Sequence, residues 1–162
     1  MISKKIQDAI NAQIQAEMYS SNLYLSMAAY CESINMKGFA HWMRLQAGEE
    51  LMHAHQFFDY VIQREGRALV GAIDAPPQDF KSPRDVFEQT LAHEKKVTGL
   101  VNGLYELALA EKDYATQSML QWFINEQVEE EKNATAIVET LKTVGTQGAS
   151  LFMVDRQLAA RG

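Results

Sequence analysis

The chain carries three prolines, Pro76, Pro77 and Pro83, and all of them lie in one short region. Proline removes a backbone donor and clashes with the preceding helical turn, so helices break where it occurs. On both sides of that region the apolar residues recur at steps of three and four, the helical period. The pattern predicts helix A over about 4–33, ended near Ile34-Asn35-Met36-Lys37-Gly38, and helix B over about 38–64, stopping at Gly66. Ser82 before Pro83 is an N-cap and first-turn signal, with Asp85 in the first turn, so helix C starts at 83 and runs to about 110. Helix D covers about 114–143 and ends at Gly145, and a short amphipathic fifth helix follows over about 149–160. No stretch shows a strand pattern.

The connections decide the topology. Those at 34–37 and 111–113 are short, which makes A–B and C–D antiparallel hairpins. The connection at 65–81 is long. A helix of about 27 residues spans about 40 Å, and some 16 extended residues reach up to about 53 Å. This segment can therefore travel the length of the bundle and leave B and C parallel. The expectation is an all-α fold in a single domain over 1–162, a four-helix bundle with one long B–C crossover and a short C-terminal helix.

Composition narrows the partners. The net charge is −6 and Lys and Arg do not cluster, which argues against nucleic acid. Cys31 is the single cysteine, so neither a disulfide framework nor a Cys-x-x-Cys metal knuckle can form within one chain. The start, MISKKIQDAINAQI, is amphipathic and unlike a signal peptide. No apolar run approaches the roughly 20 residues of a membrane span. A cytoplasmic protein without membrane partners is expected.

Each helix carries a polar interruption on its apolar stripe. Glu17 shares a face with Ile6, Ile10, Ile14 and Tyr24; Glu50 with Met43, Gln46, His53 and Phe57; Glu94 with Phe87, Leu91 and Val101; Gln127 with Leu120, Phe123 and Glu130. Glu17 to Glu50 is 33 residues, as is Glu94 to Gln127, and an offset of 77 takes Glu17 to Glu94, Glu49 to Glu126, Glu50 to Gln127 and His53 to Glu130. Two like hairpins packed with B and C parallel would bring all four interruptions to one height. Buried carboxylates without partners cost several kcal/mol each, and these stripes hold no Lys or Arg. Bound cations supply the missing charge most simply. Oxygen-rich ligands with one imidazole suit iron or manganese better than zinc or calcium.

With Glu17 on A, Glu50-x-x-His53 on B, Glu94 on C and Gln127-x-x-Glu130 on D, the whole chain resembles the ferritins, and among them the prokaryotic non-haem ferritins. The resemblance implies a 24-subunit homo-oligomeric shell that oxidises Fe(II) with dioxygen, a ferroxidase, and stores ferric mineral. It implies one iron held by Glu17, Glu50 and His53, and a second held by Glu94 and Glu130 with Glu50 bridging. Gln127 belongs to the same centre, and Tyr24 matches the tyrosine beside it. Glu49, Glu126, Glu129 and Glu130 match a third iron site. Leu51 stands where related haem proteins supply methionine, so no haem is expected. A di-iron or di-manganese oxidase or peroxidase without storage would share the same ligands. His41, His55 and His93 lie off the stripes and are expected at the surface; Trp42 and Trp122 are expected as core packing.

Overall fold

The computed structural model describes residues 1–145 and 148–162. Five helices occur in order: α1 Lys4–Ser33, α2 Lys37–Gln63, α3 Pro83–Ala110, α4 Tyr114–Val144 and α5 Ala149–Leu158; no strand occurs among the described residues. The predicted ends hold to within one or two residues. Helix α2 begins and ends one residue early, α4 continues to Val144, and α5 stops at Leu158.

Local chemistry explains the boundaries. Ser3, Ser82 and Asp113 each accept a backbone N–H of the first turn that would otherwise go unpaired. Helices α1, α2 and α3 end alike: Asn35, Glu65 and Lys112 adopt positive φ, and the next residue's N–H reaches back to Cys31, Val61 and Ala108. Helix α2 has no cap from its own chain neighbours. Asp155 of α5 supplies it, its Oδ1 accepting from Gly38 N at 2.8 Å and Phe39 N at 3.1 Å. The approach is close enough that a Cβ at Gly38 would sit 1.6 Å from the Asp155 carbonyl oxygen.

The apolar interior falls into two clusters. One gathers Leu23 to Cys31, Phe39 to Ala47, Val86, Phe87, Val138, Leu141 and the buried side of α5. The other gathers Ile2 to Ile14, Phe57, Val61, Val97 to Ala108, Leu120 and Phe123. Rising residue number leads from the first cluster to the second along α2 and α3, and the opposite way along α1 and α4. Helices α2 and α3 are therefore parallel, and the segment between them returns the chain to the first cluster, where Phe80 is buried.

That return path runs along α1. Gln7 accepts from Arg67 N at 2.8 Å, Asn11 bonds both Arg67 O and Leu69 N at 3.1 and 2.9 Å, and Gln15 donates to Ala72 O. Side chains four residues apart on one helix face thus satisfy the backbone of the crossover. Where that path begins, Arg64 makes a forked pair with Asp113, at 3.0 and 3.2 Å, tying the end of α2 to the start of α4.

Two substitutions test the seating of α5. Asp155→Ala leaves two α2 N–H groups unpaired and should lower stability by about 1–2 kcal/mol. Gly38→Ala, which forces α5 off its seat, should lower it at least as far. Thermal melts of the metal-free protein read both, and a melting temperature unchanged in Gly38→Ala would contradict the observed contact.

Candidate metal centre

Between the two apolar clusters lies a polar layer to which all four long helices contribute. Glu17, Glu50, His53, Glu94, Gln127 and Glu130 are each no more than 6% exposed, and Tyr24 and Gln46 are fully buried. The ligand atoms of Glu17, Glu50 and His53 all lie within 4.8 Å of one another. Their positions follow from helix geometry: Glu50 and His53 are one turn apart on α2, with Glu50 Oε2 3.4 Å from His53 Nδ1, and Glu17 faces them across the α1–α2 hairpin.

The remaining carboxyls are linked to this group by amides and a phenol. Gln46 Nε2 donates to Glu50 Oε1 at 3.2 Å and Glu130 Oε2 at 2.8 Å. Gln127 Nε2 donates to Glu94 Oε2 at 3.1 Å, and the Tyr24 hydroxyl donates to Glu94 Oε1. Gln13 Nε2 donates to Glu17 Oε1 at 2.7 Å. Glu17 Oε2 is buried and has no hydrogen-bond partner. An anionic oxygen in that condition is costly, and the Glu50 carboxyl beside it raises the cost. The Glu17, Glu50 and His53 donors fit a hard divalent cation: two carboxylates and an imidazole nitrogen, with one oxygen uncommitted.

Electrostatics state the same problem as proton affinity. Burial, and then the Glu50 charge, raises the Glu17 carboxyl to about 8. Burial, and then Glu94, raises Glu130 to about 7. Glu50 is raised by burial and by Glu94 and Glu130, and Glu94 chiefly by burial. The Tyr24 phenol is pushed upward by burial and the surrounding carboxylates, which keeps it a donor to Glu94. Without cations, the layer holds protons at neutral pH.

The four acids of the third set are less tightly gathered. Glu49 and Glu126 are half-buried and near enough to Glu130 to raise its carboxyl. Glu129 is exposed and pairs with Lys132 at 3.2 Å. Glu49 is already paired with Arg161. Among the described residues these four do not form a group with ligand atoms mutually within 4.8 Å.

Three expectations about other residues need correction. Trp122 is 45% exposed rather than core, its edge against the His53 ring at 5.5 Å between centroids. Its position on α4, one residue from Phe123, puts it at the rim of the stripe. His93 is half-buried, not superficial; it lies between Tyr19 and Tyr24, with Nε2 2.8 Å from Ser20 Oγ, and burial lowers it to about 4, leaving it neutral. His41 is half-buried against the Arg161 carbonyl at 2.7 Å. His55 is exposed and Trp42 buried, as expected. Gln13, Gln46 and Arg161 join the site although the sequence pattern does not mark them as site residues. Gln46 lies on the Glu50 stripe, where an amide on a buried face is the available signal; Arg161, at the far end of the chain, offers none.

Residues 7–144 match the Ferritin family, described as a ferritin-like domain. The chain is 50% identical over 161 residues to the bacterial non-heme ferritin of Bacteroides fragilis, covering 99% of this chain and all of that protein. It is 38% identical to a probable bacterial non-heme ferritin-like protein of Haemophilus influenzae, over 98% of this chain and 96% of the other. Among solved structures, an open-pore ferritin from the archaeon Archaeoglobus fulgidus superimposes with a TM-score of 0.99 at 48% identity, covering both chains completely. With the family matched over most of its length and half of its residues shared with a bacterial relative, this chain belongs to the ferritin family.

Proposed function

We propose that the protein stores iron and that its polar layer is a ferroxidase centre, oxidising Fe(II) with dioxygen. The observation that carries this reading is the convergence of Glu17, Glu50 and His53 with the Glu17 oxygen left without a partner. Iron is substrate and cargo here. Glu17, Glu50 and His53 hold one Fe(II), Glu94 and Glu130 a second, and Glu50 reaches both. Two ions side by side deliver two electrons together and take dioxygen to the peroxide level, each passing from Fe(II) to Fe(III). The carboxylates favour the ferric products because they are hard, anionic donors. Gln46 and Gln127 orient Glu50, Glu130 and Glu94, and the Tyr24 hydroxyl fixes the other Glu94 oxygen. Glu49, Glu126, Glu129 and Glu130 form a third, looser cation site. The centre works without haem: Leu51, a side chain with no donor atom, occupies the position that would ligate it.

Storage needs an enclosing assembly, and we assign the chain to a shell of 24 copies in the cytoplasm. The ferritin relatives support this. Among the described residues, no helix is long and apolar enough to cross a membrane.

Oxidation kinetics and particle size test the reading. Metal-free protein given Fe(II) without oxygen and then air should oxidise about two irons per chain in a fast first phase. Glu50→Ala and His53→Ala should slow that phase at least a hundredfold, about 2.7 kcal/mol of barrier, and unchanged kinetics in both would refute the assignment. Size-exclusion chromatography should give a particle of several hundred kilodaltons; a dimer would remove the storage role.

Stability against pH gives an independent test. The folded Glu17 carboxyl titrates near 8 against an ordinary 4.5. Between those values the folded chain binds more protons than the unfolded one, so its stabilising contribution is complete below 4.5 and lost as pH rises through 8. Melting temperatures of metal-free protein should therefore decline from about pH 5 to 8, and Glu17→Gln, neutral throughout, should decline less. Cations displace these protons, so binding should tighten as pH rises over the same interval. Parallel pH profiles for the two proteins would contradict the role given to Glu17.

A further inference from the structure

The C-terminal segment touches the polar layer from outside the four long helices. Past α5, the guanidinium of Arg161 lies over the Trp42 indole, 4.3 Å from the ring centroid, and the ring of His41 holds the Arg161 carbonyl at 2.7 Å. From this seat Nη1 donates to Gln46 Oε1 at 3.0 Å, and Nη2 pairs with Glu49. A primary amide has one accepting end and one donating end. With its oxygen taken by a guanidinium, Gln46 must present its nitrogen to the other side, where Glu50 and Glu130 accept it. Reversed, the amide oxygen would face two carboxylates.

We propose that Arg161 is a positioning residue for the centre, holding the Gln46 amide nitrogen on Glu50 and Glu130 and competing with a cation for Glu49. The inference rests on the layer being a cation centre. It adds to that centre a group supplied by the last residues of the chain, whose placement depends on α5 being seated on α2. A third cation gains Glu49 only as the guanidinium lets go, so the looser site is set weak by the fold rather than by its own ligands.

Redox-stable Co(II) provides the test, titrated into the metal-free assembly by calorimetry and followed by its ligand-field absorption. Arg161→Gln should bind the third cobalt about two- to fivefold more tightly, the scale of a partly exposed ion pair. It should also shift the absorption of the first two cobalts, because Gln46 loses its fixed sense. Arg161→Lys, which keeps a cation beside Glu49, should restore the wild-type affinity of the third cobalt. Arg161→Gln combined with Glu49→Gln should lose the gain. A chain ending at Ala160, which introduces no new side chain, should reproduce the Arg161→Gln result. Identical third-cobalt affinity and absorption in wild type and Arg161→Gln would overturn the proposal, as would a lysine variant that gains as much as the glutamine one. Cobalt filling the pair equally in every variant sinks only the role of Arg161; no cobalt bound by the wild type sinks the centre itself.

Discussion

The constraint on which the bundle depends is the burial of like charges. Glu17, Glu50, Glu94 and Glu130 meet in the interior, and the stripes they occupy carry no Lys or Arg. In a low-dielectric layer such a set is compatible with folding only if protons or cations neutralise it. Four neighbouring polar side chains are arranged around that fact. Gln13, Gln46, Gln127 and Tyr24 donate to the acids and so lower the cost of their charge, without supplying charge themselves. Neutral donors leave the negative charge of the layer in place, whereas a lysine in the same place would cancel it.

The rest of the fold keeps this layer level. Two apolar clusters lie on either side of it, and each long helix contributes to both. The helices are held in register at their ends: by side-chain caps at Ser3, Ser82 and Asp113, by the forked Arg64–Asp113 pair, and by Asp155 reaching from α5 to the start of α2. A helix sliding by one turn would move its carboxylate about 5.4 Å and carry it out of reach of the others. End-fixing and site geometry are thus one problem.

Much of this is legible in the chain itself. Helix periodicity, the confinement of proline and the equal spacings of 33 and 77 carry the bundle, the crossover and the level of the acids, because helices convert residue number into height linearly. What stays hidden depends on side-chain partners across elements. Gln46 shows only as an amide on a buried stripe, and Gln13 as an ordinary polar residue, until each is seen donating to a buried carboxyl. Arg161 is separated from Glu49 by more than a hundred residues, and a single sequence carries no signal for so remote a pair. Trp122 misleads because an aromatic one residue off the stripe looks like core although its ring lies at the rim.

In the crossover, a loop depends on a helix for its hydrogen bonds. Its amides and carbonyls at Arg67, Leu69 and Ala72 meet Gln7, Asn11 and Gln15, which rise along α1 in steps of four. An extended strand advances about 3.3 Å per residue and a helix about 1.5 Å, so the two run in step only over a fixed stretch. One residue added or removed there puts every later rung out of phase. Unlike most surface connections, this one resists changes of length, because a loop laid rung by rung on a helix has lost the slack that lets other loops grow.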